Sequence, residues 1–263
     1  MEENYFEKKI FLVTGAGSGL GYETSKILLQ GNAIVFAMIR DPSSMKSLRA
    51  DYEKSLYLFQ GDVSRQKDCE KYVQTALKKY KHIHGIIHCA GVGLRSYAKD
   101  LDNEVFERIM RTNFFSLVYL YKAARAEIEK KHGHFVAVSS IQGLIAVPYR
   151  AAYSASKHAL NAYVNCIRAE DKNIHFLCVN FGYIRTNFSF NALDGRGGKY
   201  GKNSKGQIKG MDSVRAAQMM IDAMIKRKRE ITPAGFREKL ALQIHRFFPF
   251  LYHRLIFRYG QLE

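Results

Sequence analysis

Tyr153 and Lys157 stand four residues apart in the stretch AAYSASKHAL, whose alanines and Leu160 suit a helix. Side chains at i and i+4 share one helix face, so the Lys157 ammonium can lie beneath the Tyr153 phenol. A phenol is almost fully protonated near neutral pH, and a neighbouring cation favours its phenolate. The pair could then donate and accept a proton. The same spacing also serves an amphipathic helix with a half-buried tyrosine and a solvated lysine, so other residues must decide.

A second group lies near the start of the chain, in VTGAGSGLGYETSKILL. Here an apolar strand ends at Thr14 and a helix begins near Gly19, with Gly15, Gly19 and Gly21 at the junction. Glycines so placed permit a tight turn, a close backbone approach to a pyrophosphate and close packing of helix on strand. After the next strand come Arg40 and Asp41, which argue in opposite directions. A guanidinium grips a ribose 2′-phosphate, whereas a carboxylate accepts hydrogen bonds from a free 2′-hydroxyl and repels a phosphate. Asp62, in GDVS, could accept a bond from an adenine amino group, cap a helix beginning at Ser64, or do both.

These residues need elements to bring them together. Six short apolar runs, IFLVTG, AIVFAMIR, SLYLFQGD, HGIIHCAG, HFVAVSS and IHFLCVN, alternate with longer stretches of helical period. The pattern predicts an α/β fold: a single Rossmann-type, doubly wound parallel sheet with helices on both faces. Ligands of such sheets bind beyond the carboxyl ends of the strands, where TGAGSGLG, CAG, SS and VNFG all fall. With 263 residues, 47% of them apolar, and neither repeats nor a Pro/Ser-rich linker, one domain over 1–263 is expected. Residues 186–210, rich in Gly and Lys and without period, read as a long mobile loop of the kind that covers a substrate.

With Gly15, Gly19 and Gly21 in a Thr-Gly-x-x-x-Gly-x-Gly pattern and Tyr153 and Lys157 in Tyr-x-x-x-Lys, the chain resembles the short-chain dehydrogenase/reductases from about Lys9 to Thr232. The resemblance implies a catalytic set. Ser140, thirteen residues before Tyr153, would orient a substrate carbonyl, and Asn113, in MRTNFFS, would hold a proton-relay water beside Lys157. For the cofactor it implies Ser18 and Leu20 in the glycine-rich turn, Asp62 and Val63 at the adenine, and Ala90 and Gly91 beneath the dinucleotide. Ile184 and Thr186 would grip the carboxamide. Ile39 occupies the place where NAD-preferring members carry aspartate, and Arg40 follows it, so the resemblance implies NADP, with NADPH preferred over NADH. Two departures touch the loops around the cofactor: HCAG replaces Asn-Asn-Ala-Gly, and Phe181 stands where proline is usual. The segments GYIRTNFSFNALDGRGGKYG and GMDSVRAAQMMIDAMIKRKREI resemble the dehydrogenase/reductase member-seven group, whose members are often membrane-associated and act on lipophilic carbonyls or alcohols.

The expected reaction is reversible hydride transfer between nicotinamide and such a substrate. An alternative is a 3-oxoacyl-carrier-protein reductase with Arg111, Arg125 and Arg168 docking an acidic carrier, and a second is a basic binding module without catalysis. The net charge of +17 implies an acidic partner without choosing one, and nucleic acid is the less favoured choice beside a filled catalytic set. The four cysteines have no paired or metal-ligand spacing, so no metal is expected. The first residues lack a secretory layout and no apolar run is long enough to span a bilayer, so a cytoplasmic protein is expected. Within 235–260, Phe236, Leu240, Ile244, Phe247, Phe248, Leu251 and Leu255 recur at helical spacing among Arg237, Lys239, Arg246, Arg254 and Arg258, with Pro249 as a break. Two basic amphipathic helices are expected there, packed on the protein or docked on a membrane. Apolar and aromatic residues on the helices around 102–131 and 153–170, Phe115, Tyr119 and Tyr163 among them, suit a homodimer, through which family members pair.

Overall fold

The computed structural model describes residues 5–261. Its first half alternates strand and helix: β1 (Ile10–Thr14), α1 (Gly19–Gln30), β2 (Ile34–Ile39), α2 (Lys46–Asp51), β3 (Leu56–Gln60), α3 (Gln66–Tyr80) and β4 (Gly85–His88). Next come α4 (Asn103–Met110) and α5 (Ser116–Lys130), joined by a π-helical turn over Arg111–Phe115, and then β5 (His134–Ser140) and α6 (Ala151–Glu170). The last part holds β6 (His175–Phe181), β7 (Ile184–Arg185), α7 (Lys205–Ile208), β8 (Met211–Asp212), α8 (Ser213–Ile225), β9 (Glu230–Ile231), α9 (Phe236–Phe247) and α10 (Pro249–Gln261).

Seven strands form one parallel sheet in the order β3-β2-β1-β4-β5-β6-β9. The central strands β1, β2 and β6 are buried along nearly their whole length because each face is covered by helices. Ile10 and Leu12 pack on one side with Tyr72 of α3, Leu117 of α5 and Leu160 of α6. Phe11 and Val13 pack on the other with Leu28 of α1, Leu48 of α2 and Met220 of α8. Strand order reverses beside β1, whose neighbours are β2 and β4, and the connections leave a crevice at that carboxyl edge.

Six strands coincide with the apolar runs, and the seventh, β9, adds only Glu230 and Ile231 opposite Cys178 and Val179. Two local expectations need correction. Asp62 does not cap a helix at Ser64; its carboxylate accepts from the Ser64 N–H at 2.9 Å in a turn, and α3 starts at Gln66. Residues 186–210 are not featureless: Leu193 bridges Leu94 and Lys199, Ala192 and Leu193 are buried, and Asp194 accepts from the Arg196 and Gly198 N–H groups. Pro249 falls at the expected break: α9 ends at Phe247 and α10 starts at Pro249, where its fixed φ and missing N–H are tolerated. The expected tail helices are present, and among the described residues no helix is long and apolar enough to cross a membrane.

Candidate active site

A crevice of about 740 Å³ runs along the carboxyl edge, from Asp62 past the glycine-rich turn to Tyr153 and Glu238. At one end β1 runs into Gly15, whose φ of +65° lies in the left-handed region. A side chain there would also sit 2.8 Å from the Ala90 backbone. Gly21 is needed for space, since a Cβ would lie 2.3 Å from the Gly15 carbonyl. Gly19 faces Thr186 across the crevice, 3.1 Å from its methyl group by the same construction. Ser18 precedes α1 in extended conformation and its side chain makes no capping bond, which leaves the helix N-terminus, with Leu20 beside it, open to an anion.

The Arg40–Asp41 opposition has a structural answer. The Asp41 carboxylate accepts from the Ser43 N–H and hydroxyl, both at 2.9 Å, and these bonds hold its pKa below the usual range. The exposed Arg40 side chain has no hydrogen-bond or ion-pair partner among the described residues, and it lines the crevice. Ile39 is buried. Ser44 and Gly17, unremarked in the sequence, line the same end. Asp62 and Val63 form the far wall, with one Asp62 oxygen committed to Ser64. The donors, the open helix end and the close glycine backbone fit a phosphorylated dinucleotide.

At the other end Ser140, Tyr153 and Lys157 line the crevice, and Asn113 is buried behind them. Its side chain is used up: Oδ1 accepts from the Val92 N–H at 2.8 Å, and Nδ2 donates to the Val92 carbonyl and the Ser156 hydroxyl, both at 3.0 Å. The π-helical turn carries Asn113, which sequence periodicity alone does not show. A methyl group on Gly91 would lie 3.5 Å from Asn113 Oδ1 and 3.8 Å from Lys157 Nζ, so the three meet beneath the crevice floor. Lys157 Nζ donates to the Val138 carbonyl at 2.8 Å and lies 5.9 Å from the Tyr153 ring centroid.

Burial pushes the Lys157 ammonium down to about 8. Tyr153 is raised, with burial the largest cause; the Ser140 hydroxyl and the Arg150 charge act against it. This corrects an expectation. The cation that counteracts burial at the phenol is Arg150, while Lys157 is turned to the Val138 carbonyl, and the phenol is held in its protonated form.

The two departures from the family pattern are accommodated. Ser116 Oγ donates to the Thr112 carbonyl, so it must accept from His88 Nε2, at 2.7 Å. His88 thus ties the end of β4 to the π-helical turn; burial first, and the Lys157 charge second, hold it neutral with a pKa of about 3. Phe181 is buried and extends the β5–β6 pairing to Ser140, where a proline would lack the N–H.

Ala90 is tied to Thr14 Oγ1 through its N–H at 3.3 Å. Ile184 lies in β7, and Thr186 Oγ1 accepts from Gln207 Nε2 at 3.1 Å. Three wall residues were not foreseen. Gln207 also donates to the Ile184 carbonyl. Glu238 of α9 accepts from the Tyr183 N–H at 2.9 Å, and Arg150 stands just before α6. Gln207 and Glu238 are reached only by long-range contacts, so no local pattern announces them, whereas Arg150 lies three residues before Tyr153. The three arginines considered for carrier docking are engaged within the chain: Arg111 with Glu107, Arg125 with Asp171 and Glu129, and Arg168 with Asn165 and the Arg229 carbonyl.

The family model described as short chain dehydrogenase matches residues 9–196. The chain is 32% identical over 262 residues to the dehydrogenase/reductase SDR family member 7B of Danio rerio, covering 95% of this chain and 85% of that protein. It is 31% identical over 261 residues to the dehydrogenase/reductase SDR family protein 7-like of Drosophila melanogaster, covering 95% and 79%. Its fold is similar to that of a short chain dehydrogenase from Burkholderia cenocepacia J2315 in complex with NADP, with a TM-score of 0.80 at 21% identity over 95% of this chain and 98% of that one. An alcohol dehydrogenase from Thermococcus sibiricus complexed with 5-hydroxy-NADP gives 0.75 at 20% identity, over 86% and 96%.

Proposed function

Because this chain belongs to the short-chain dehydrogenase/reductase family of nicotinamide-dependent oxidoreductases, we propose that it uses NADPH to reduce the carbonyl of a lipophilic substrate, reversibly, with Tyr153 as proton donor and acceptor. The observation that carries this reading is the meeting of Ser140, Tyr153 and Lys157 at one end of a crevice whose other end is the glycine-rich turn. The nicotinamide, when bound, supplies or accepts the hydride.

The chain's own residues do the rest. Ser140 stands beside the phenol and would donate a hydrogen bond to the developing alkoxide, a contribution of about 3 to 4 kcal/mol where comparable donors have been removed. Tyr153, kept protonated by burial, would give its proton to that oxygen. Lys157 would hold the cofactor ribose. The Asn113 side chain is committed, so a relay water beside Lys157 would be held by the Asn113 main chain. Gly15, Ser18, Gly19, Leu20 and Gly21 would cradle the phosphates, Asp62 and Val63 the adenine, Ala90 and Gly91 the underside, and Ile184 and Thr186 the carboxamide. The free Arg40 beside an occupied Asp41 supports NADPH over NADH.

Phe188 packs against Tyr153 with ring centroids 5.7 Å apart, which supports residues 186–210 as the cover of the substrate within one domain. The engaged arginines weigh against an acyl-carrier-protein substrate. We place the enzyme in the cytoplasm as a homodimer, with its tail on the cytoplasmic face of a membrane. The test is oxidation of NADPH and of NADH over steroid, retinoid, acyl and small-ketone panels. Turnover with NADPH and apolar ketones is expected; turnover confined to acyl-carrier-protein substrates would replace this reading with the alternative.

A further inference from the structure

We infer that Arg150 forms an anion subsite at the substrate end of the crevice, so that the carbonyl compound handled there carries a carboxylate or phosphate group alongside its apolar part. This rests on the reading of Tyr153 as the reacting group and adds a substrate class to it.

Arg150 is only 6% exposed, yet among the described residues its side chain makes no hydrogen bond, ion pair or ring contact. Its nitrogens are not among the sealed side-chain atoms that lack a partner, as His88 Nδ1 and Ser139 Oγ are, and the residue lines the crevice. The guanidinium therefore opens into that space. Arginine stays charged and carries five N–H donors, and a buried charge without a partner is costly. A surface cation would need no explanation; this one needs a counter-ion.

Its place in the fold sharpens the argument. Arg150 stands immediately before the 20-residue helix α6, at the positive end of the helix dipole, where a cation is repelled and an anion favoured. No side chain caps that helix start, so its first N–H groups and the guanidinium favour the same kind of ligand.

The carboxylates that line the crevice leave Arg150 unmatched. Glu238 is taken by the Tyr183 and Gly235 N–H groups, and Asp41 and Asp62 are bound in their own turns. Glu23, the remaining one, belongs to α1 beside the glycine-rich turn. Ile141, Tyr183 and Phe188 give the same crevice apolar and aromatic wall. An anionic group joined to an apolar chain matches both features. The Arg150 charge also acts on the Tyr153 phenol, which agrees with a subsite close to the reacting group.

The test is direct binding to the full-length protein saturated with NADPH, by calorimetry, using decanoate, decyl phosphate and decan-1-ol. At least one anion should bind about 10- to 100-fold more tightly than the alcohol, the range expected for charged hydrogen bonds. Arg150→Gln should bring that ratio close to one, and Arg150→Lys, which keeps the charge without the fork, should retain part of it. The stronger of the two anions identifies the group. Equal binding of all three ligands by the wild-type protein would overturn the subsite, as would an anion preference that survives in Arg150→Gln. If Arg150→Gln does not fold, the wild-type ratio and its change in Arg150→Lys decide. Turnover is not read in this experiment. In the separate turnover panel, failure to oxidise NADPH with any carbonyl would sink the catalytic reading and leave the subsite standing, whereas the absence of an anion preference in the wild-type protein with turnover intact would sink only the subsite.

Discussion

Arg40 and Asp41 are neighbours whose chemistry conflicts in the sequence and is resolved only by their partners. The carboxylate is consumed by Ser43, whereas the guanidinium faces the crevice unpaired. Arg40→Ala should therefore weaken NADPH binding by about 10- to 100-fold, the range for charge-assisted hydrogen bonds, and leave NADH nearly unchanged. Dissociation constants from fluorescence titration with both nucleotides check this; equal weakening would return the site to NAD. The residues proposed to react were legible because their spacing is local: Tyr153 and Lys157 share a helix turn, and Ser140 ends an apolar strand. Their protonation was not. The phenol's state depends on burial and on Arg150, and Lys157 finds the Val138 carbonyl of β5, neither of which a spacing rule contains.

Among the elements, β5 and β6 carry a feature outside the site whose consequence is measurable. The Lys228 carbonyl can only accept, so His175 Nε2, 2.8 Å away, bears a proton. His175 Nδ1 must then accept from His134 Nδ1 at 2.8 Å, and His134 Nε2 accepts from the Tyr5 hydroxyl at 2.7 Å. Both rings are neutral in this chain, and a further proton on either breaks a bond. Burial, with His175, Arg227, Lys9 and His84 adding to it, lowers His134 to about 3; burial also lowers His175, and His84 falls to about 4.

His134 and His84 bind protons in the unfolded chain from about pH 6.5 downward and in the folded chain only near pH 3 to 4, and His175 is lowered in the same direction. Stability is thus complete above about pH 6.5 and falls as the pH drops below it. The melting temperature should decrease by roughly 5 °C or more between pH 7.5 and pH 5. His134→Gln, which takes up no proton, should flatten that slope; an unchanged slope would remove the chain as its cause. The strands that bear these residues were readable as continuous apolar runs. β9 was not, because two residues after a basic run have no period and are recruited by pairing with β6.

For the whole molecule, the tail links the outer surface to the crevice. Glu238 of α9 holds the Tyr183 N–H, and Tyr252 of α10 is buried and donates to the Ala146 carbonyl at 2.6 Å, so both helices are fixed on segments that border the site. Their outer side exposes Phe236 at 82% and Phe250 at 81%, with Phe247, Phe248 and Phe257, among arginines, and a cation near an anionic lipid surface contributes about 1 kcal/mol. The full chain should sediment with anionic vesicles at low salt. Substituting serine at Phe247, Phe248 and Phe250 together should abolish this, and a variant that binds equally well would make the tail a packing element. The amphipathic period was visible in the sequence, but the two inward anchors were not, since each contact spans more than fifty residues. Pairing through α5 and α6, beside the exposed Phe115 of the π-helical turn, should give a dimer by light scattering at micromolar concentration; a monomer would contradict it. All of these features serve one claim, that the crevice carries out proton-coupled hydride transfer with Tyr153 giving the proton. Tyr153→Phe keeps the ring that packs on Phe188 and removes the transferable proton. The direct test compares wild type and Tyr153→Phe in NADPH-dependent carbonyl reduction and in NADPH binding. Turnover lost by at least about 100-fold, the lower range for general acid catalysis, with an unchanged NADPH dissociation constant is the predicted result. Turnover close to wild type in the variant would contradict it.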